Sequence, residues 1–458
     1  MAAVIRLTLV QCPAWGVDDP PLGVAQLLGC VAHCNHHGRP FDVNIRLWQE
    51  CAPEERRFWG QDVLPSWNDR SWVAARAEAW EEKLSRYAEE ILADDPRAVL
   101  LWAAEGSQWF SLEMAKRIKT RNGTATVFIG GPYFNDAARV SAFIAEPCID
   151  GVMAGAGDDL LAKLLGLYQA CGRWMPLPGM TVKEKGAIAS GGRPVPFTFD
   201  WDLAPLCDFS GFKTELYRKP LQMPLASSRG CRWSHPSCAR DYWGKYSFKS
   251  GDRIFSEAAK QLHDQRFWRH LELYDLDANG KPDSLKRFSE MILENRLPEA
   301  GLTWSMNASL DSGADAQRLA LFASAGCREI VYTLEADSPP VVPQAAERIL
   351  RDTHEAGIDC AVFLSSIGGA DTPKSDFSSI LSAVDHLRPW LDGVVIDRTV
   401  LDVPARHRGS VPGIAAREEQ LEIFCGTLGM TWSPFFSQGT TGLRVASRSA
   451  KPAVLAAR

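Results

Sequence analysis

The sequence predicts an α/β protein in which a doubly wound parallel sheet is followed by a partial (β/α)6 barrel and a small C-terminal segment. Three observations carry this. Over the first 165 residues, short apolar runs alternate with stretches of helical period, the pattern of a parallel sheet with crossover helices. Residues 166–222 are rich in Pro and Gly and interrupt that alternation. From 223 to 400 a second alternating series passes through six strand-like segments, about 30 to 40 residues to a unit.

The elements follow in order. "IRLTLVQ" (5–11) is the first strand, and "VAQLLGCVAHCNHHG" the first helix, with Gly38 as its C-terminal cap. "FDVNIRLW" (41–48), "AVLLWAA" (98–104) and "TATVFIGGP" (124–132) are the next three strands. "DRSWVAARAEAWEEKLSRYAEEILADD" reads as one long amphipathic helix, and "SLEMAKRIKTRNG" as another that Gly123 ends. A short fifth strand precedes "GAGD" (155–158) and a further helix. Ligands of such a sheet sit beyond the carboxyl ends of its strands. The glycines of "GGPYFN" (130–135) and "GAGD" fall at such ends, where they let backbone approach a ligand. No G-x-G-x-x-G follows the first strand, which disfavours a nicotinamide dinucleotide.

Residues 166–222 are expected to be a linker with a β excursion through "GAIASGGRPVP". The barrel strands are read in "QMPLASSRGC", "HLELYDLDANG", "GLTWSMNASL", "CREIVYTLEAD", "CAVFLSSIGG" and "GVVIDRTV", and residues 401–458 form the appended segment. This divides the chain at 1–165, 166–222, 223–400 and 401–458.

Composition narrows the class. A net charge of −6 and a pI near 5.9 leave no broad basic footprint for nucleic acid. No apolar run is long enough to span a membrane, and the N-terminus reads as a strand and not as a signal peptide. Twelve cysteines spread along the chain suit reduced thiols in a cytoplasm. Five of the 16 tryptophans fall between Trp48 and Trp80, where core packing is the expected role.

The loop "SRGCRWSHPSC" (228–238), together with "PPLG", "GGPYFN", "GAGDDLL", "LPGM", "TLEADS" and "SIGGADT", resembles the cobalamin-binding radical SAM family over residues 5 to about 380. Within it, the chain is most similar to members that act on ribosomal peptides or other natural products. The resemblance makes 1–165 a Rossmann-like cobalamin-binding domain and 223–400 a radical-SAM-like barrel. It implies that Gln108, Ser111, Gly130, Gly131, Pro132, Gly155, Gly157 and Asp158 lie near cobalamin. It further implies that Asp275, Asn279, Asn307, Glu335, Gly368 and Gly369 contact S-adenosylmethionine, and that Cys231, His235 and Cys238 stand where the family holds a 4Fe-4S cluster. The D-x-H-x-x-G motif that supplies a cobalt ligand in some B12 proteins is absent, so the resemblance implies cobalt without a histidine from below, and Trp15 either covers that face or packs as a surface tryptophan.

The family uses three cysteines, and here the second is His235. A neutral imidazole in place of a thiolate raises cluster potential, whereas reductive cleavage of SAM needs a strongly reducing cluster. Three readings follow. A retained cluster accompanies cobalamin-assisted polar transfer of a methyl group from SAM to carbon; this stands first. Alternatively the cluster is lost and cobalamin or SAM serves other chemistry, or the chain is a non-catalytic binding partner of an active homologue. The expected partners are a small-molecule or peptide substrate and an electron donor. Glu105, His263 and Tyr332 are candidate acids or bases without a visible partner.

Overall fold

The computed structural model describes residues 4–60, 63–184, 186–194, 200–230, 246–310, 315–335, 344–365, 384–397, 430–437 and 440–447. They form two units, one holding the described residues up to Pro224 together with Ala259–Trp268, the other holding the rest.

The first unit is built on a seven-stranded sheet of order β2-β1-β3-β4-β5-β6-β7. Its strands are β1 (Arg6–Gln11), β2 (His37–Asp42), β3 (Ala98–Trp102), β4 (Val127–Gly130), β5 (Gly151–Met153), β6 (Met180–Glu184) and β7 (Ala187–Ser190). The pairs among β1 to β5 are parallel; β6 joins β5, and β7 joins β6, antiparallel. The hairpin expected within 166–222 is therefore part of this sheet. The helices are α1 (Leu22–His33), α2 (Val43–Glu50), α3 (Arg70–Ala79), α4 (Glu81–Leu92), α5 (Gln108–Arg121), α6 (Ala137–Ile144) and α7 (Gly157–Cys171).

Alternation along β1 shows helices on both faces. Leu7 and Leu9 pack into a core with Val24, Leu28 and Val31 of α1 and Leu161 and Leu164 of α7. Thr8 points the other way, and its hydroxyl donates to the Ile91 carbonyl of α4 at 3.1 Å.

Three local expectations are corrected. Residues 41–48 are not the second strand: β2 ends at Asp42, whose side chain accepts from the Ile45 N–H at 2.9 Å and caps α2. The alternating "FDVNIRLW" conceals this start, and Val43, Asn44, Ile45 and Leu47 are all buried because α2 is enclosed on more than one side. Gly38 does not cap α1. That helix stops at His33, and Asn35 adopts the left-handed conformation (φ 58°), leaving Gly38 in β2, where a Cβ would stand 2.7 Å from Leu28. The long helix of 69–95 is two helices, broken at Trp80, whose buried ring stacks on Trp59 and whose indole N–H donates to Glu55.

The second unit carries an eight-stranded sheet of order β16-β17-β15-β14-β13-β12-β11-β8. Strands β8 (Gln222–Leu225, which crosses the boundary at Pro224), β11 (His270–Leu273), β12 (Thr303–Ser309), β13 (Cys327–Glu335), β14 (Asp359–Ser365) and β15 (Gly393–Asp397) fall in the six expected segments. The pairs from β11 to β15 are parallel. A small antiparallel pair, β9 (Ser228–Arg229) and β10 (Ser247–Phe248), stands apart. The C-terminal segment contributes a hairpin, β16 (Met430–Ser437) and β17 (Thr440–Ser447), which joins β15 antiparallel. Trp304 and Tyr332 face helices: Trp304 packs on Phe288 and Phe322, and the Tyr332 hydroxyl meets Thr353 at 2.8 Å. On β11 and β12 the opposite face is polar, with His270 between the Thr303 and Ser305 hydroxyls at 2.8 Å each, whereas on β13 and β14 it carries Val331, Ala361 and Phe363. No helix among the described residues is long and apolar enough to cross a membrane.

Asp42 also accepts from the Tyr217 hydroxyl at 2.7 Å, fastening residues 213–217 beside β2. Burial pushes its carboxyl from 3.8 up to about 6, against the pull of these hydrogen bonds. The folded chain thus binds this proton more tightly than the unfolded chain, so the stabilisation is complete below pH 3.8 and is lost as pH rises through about 6. Urea unfolding of wild type and Asp42→Asn should therefore diverge over that interval, the variant gaining up to about 3 kcal/mol relative to wild type. A difference independent of pH would contradict the assignment.

Candidate functional site

The strand order β2-β1-β3 is the point at which the sheet changes winding direction, and there the carboxyl ends of β1 and β3 lie side by side, Gln11 opposite Trp102. Ligands of open α/β sheets bind at such a switch. The loop after β1 and the loop after β3 are joined by the Ala14 N–H, which donates to Gly106 at 3.3 Å. Both are held from outside by asparagines. Asn44, fully buried, accepts from the Trp15 N–H at 3.1 Å and the Trp59 indole at 2.7 Å, and donates to the carbonyls of Trp15 and Gly16. Asn68 accepts from the Gly106 N–H at 3.0 Å and the Gln108 amide at 2.8 Å. Trp59, Trp67 and Trp80 are buried against one another, so the tryptophan-rich stretch is core packing, as its composition predicts.

Three polar atoms at this edge are buried and lack a hydrogen-bond partner among the described residues: Gln11 Oε1, Trp15 Nε1 and Gln108 Oε1. Each such atom costs about 1–3 kcal/mol, and native interiors pair nearly all of them. Two acceptors and one donor are what a ligand carrying amide groups would satisfy. The Trp15 ring meets Trp102 edge to face at 4.9 Å.

The other residues expected near cobalamin line the same carboxyl edge. Ser111 is committed within the protein, since its hydroxyl donates to the Ser107 carbonyl at 2.9 Å. Gly130 and Gly131 end β4, where the Ala103 N–H donates to Gly130 at 2.7 Å and the Tyr133 N–H donates to Ala103. Pro132 follows in the same turn. Gly131 has φ 128°, and a Cβ there would stand 2.4 Å from the Ala103 carbonyl oxygen. Gly155 lies between β5 and α7, Gly157 begins that helix, and Asp158 is buried in its first turn.

In the second unit Asp275 is buried and accepts from the N–H and the hydroxyl of both Ser227 and Ser228. Asn279 exchanges two bonds with Ser309, to its carbonyl at 3.1 Å and from its N–H at 3.0 Å, and Asn307 donates to the Asp275 carbonyl at 3.3 Å. The structure thus brings Asp275, Asn279 and Asn307 together at the carboxyl ends of β11 and β12. Glu335 is the last residue of β13. Cys231, His235, Cys238, Gly368 and Gly369 lie outside the described residues. Among the described residues no group of three His, Cys, Asp or Glu could hold a metal ion.

Glu105 is exposed and paired with Arg139, His263 is exposed beside Asp264, and Tyr332 is buried on the helix side of its sheet. Glu105 belongs to the loop after β3 but is held in this ion pair. Sequence reasoning missed Gln11, Asn44 and Asn68. Asn44 sits within a run that reads as a strand, and only the α2 start signal at Asp42 hints otherwise.

Replacing Asn44 by Ala strands two buried N–H donors and two carbonyls, so urea unfolding should show a loss of at least about 2 kcal/mol. Gly131→Ala should cost a similar amount in cofactor-free protein, through its positive φ and the 2.4 Å approach of a Cβ to the Ala103 carbonyl oxygen. Gly166→Ala, exposed in α7 with open space around it, should instead be stabilising by about 0.5–1 kcal/mol; equal effects at the two glycines would refute the packing account.

No protein-family model matches the chain. A curated relative, an uncharacterized methyltransferase of Pyrococcus horikoshii, is 22% identical over 264 residues. The match covers 56% of this chain and 56% of the relative, so the chain spans little more than half of that protein's length. Among solved structures, the radical S-adenosylmethionine methyltransferase TsrM from Kitasatospora setae, with cobalamin and a [4Fe-4S] cluster bound, is similar with a TM-score of 0.61 and 15% identity, covering 86% of this chain and 75% of that one. The cobalamin-dependent S-adenosylmethionine radical enzyme OxsB is similar with a TM-score of 0.61 and 13% identity, covering 97% of this chain and 64% of that one. The chain has the fold of cobalamin-dependent radical S-adenosylmethionine enzymes.

Proposed function

We propose that the chain is a SAM- and cobalamin-dependent methyltransferase that delivers a methyl group to a carbon of a natural-product or peptide substrate by a polar route. The observation that carries the reading is the β1/β3 switch with its buried, unpartnered Gln11, Trp15 and Gln108 atoms, in a fold shared with TsrM and OxsB. The amide-bearing rim of a corrin offers donors for the two glutamine oxygens and acceptors for the indole N–H. Gly130, Gly131, Pro132, Gly155, Gly157 and Asp158 complete the edge against which it would rest. Bound there, cobalamin supplies a cobalt centre that accepts and passes on a methyl group.

The polar route rests on His235. With a neutral imidazole among the candidate cluster ligands, one-electron cleavage of the sulfonium is disfavoured, whereas displacement at the methyl carbon consumes no electron. The transfer balances as written: the sulfonium becomes the thioether of S-adenosylhomocysteine, and the substrate carbon gains the methyl group and gives up a proton. Trp15 and Trp102 present an apolar wall at this edge, of the kind that keeps water from a reactive methyl carrier.

Cobalt and iron analysis of anaerobically isolated protein, followed by incubation with SAM and candidate substrates, tests this. Bound cobalt should be found, with S-adenosylhomocysteine formed in step with methylated product and little 5'-deoxyadenosine. 5'-Deoxyadenosine equal to product would overturn the polar route. Protein that retains neither cobalt nor iron and stays inert with SAM and added cobalamin would favour the reading as a non-catalytic binding partner.

A further inference from the structure

Asp275 falls where a contact to the methyl donor was expected, yet its carboxylate has no capacity left for one. A carboxylate offers about four acceptor sites. Here one oxygen takes the Ser227 N–H at 3.1 Å and its hydroxyl at 2.9 Å, while the other takes the Ser228 N–H and its hydroxyl, the latter at 2.8 Å. The side chain is 3% exposed. Ser227 and Ser228 immediately precede the segment that carries Cys231, His235 and Cys238 in sequence. On the far side of that segment, the Lys249 N–H donates to the Ser227 carbonyl at 2.8 Å, and the buried Lys249 ammonium pairs with buried Glu257. Between these anchors, β9 and β10 share only two residue pairs, too few to be stable alone.

We infer that Asp275 is a positioning residue: its carboxylate fixes the backbone from which the C-x3-H-x2-C segment departs, and it does not itself bind the methyl donor. Four hydrogen bonds to an ionised group outweigh the two-pair ladder, so Asp275, together with the Lys249 N–H on the Ser227 carbonyl, sets the register of Ser228 against Phe248 that brings both ends of the segment together. Asparagine in its place has a single acceptor oxygen and directs an NH2 group at donors.

The inference rests on the proposed function for what the segment carries, and the test separates the two. Wild type, Asp275→Asn and Asp275→Glu are compared by amide hydrogen exchange over residues 225–250, by iron bound per chain after anaerobic reconstitution, and by hydroxocobalamin affinity. In Asp275→Asn the Ser227 and Ser228 amides should exchange about tenfold faster or more, and bound iron should fall at least severalfold. Hydroxocobalamin affinity should stay within about twofold, which separates the effect from global misfolding. Asp275→Glu, which keeps the charge and both oxygens, should recover part of the protection. Unchanged exchange in Asp275→Asn, or loss of hydroxocobalamin binding in parallel with iron, would overturn the assignment. If wild type takes up no iron, the cluster reading fails while the exchange comparison still decides the role of Asp275.

Discussion

Asn44 governs the first half of the molecule. Its amide lies where no water reaches it, and each bond it makes runs to the loop behind β1 or to the Trp59 indole. An amide buried in this way has to be answered by partners in fixed places, so the loop has little freedom to choose another path. Asn68 repeats the arrangement on the loop behind β3. Both tethers run to the stretch between α2 and α3, whose tryptophans are packed into the core. The aromatic insertion thus serves as a frame for the two loops at the winding switch, and their paths follow from its packing.

The second half uses a charged group for the same purpose. Asp275 collects both hydroxyls and both N–H groups of a serine pair, and Asn279 and Ser309 lock the next strand end by exchanging bonds. Burial raises the Asp275 carboxyl above its ordinary range, opposed by those four donors. The desolvation cost of a buried carboxylate is offset only while every lone pair is used. This explains why a residue whose type and place suit ligand binding is consumed by architecture, and why Asn307, which donates to the Asp275 backbone carbonyl, is drawn into the same framework.

Much of the fold was legible in the sequence because hydrophobic period reports burial directly. The parallel strands of both sheets are short apolar runs, and all six strand segments of the second series carry strands. Failures cluster where one residue decides. Asp42 converts an apparent strand into a helix start through a single capping bond, Asn35 takes the left-handed turn that Gly38 was expected to take, and Trp80 breaks a helix whose period continues through it. The hairpin β16–β17 was missed because its antiparallel partner, β15, is remote in sequence. At the candidate site, glycines and family motifs pointed to the carboxyl edge of the sheet. The residues that shape it, Asn44 and Asn68, carry no local pattern, since their partners are 15 to 40 positions away.

Each sheet also ends its parallel run by folding back: β6 and β7 close one side of the first, and β17 and β16 one side of the second. A parallel strand left bare invites another chain to add to it, and further βα units could in principle be appended at that margin without limit. A reversed ribbon removes the invitation. The outermost ribbon strand of the second sheet carries Pro434 in its middle, a residue with no N–H to offer a newcomer. Each parallel run therefore stops at these two margins, where the turns reverse the chain.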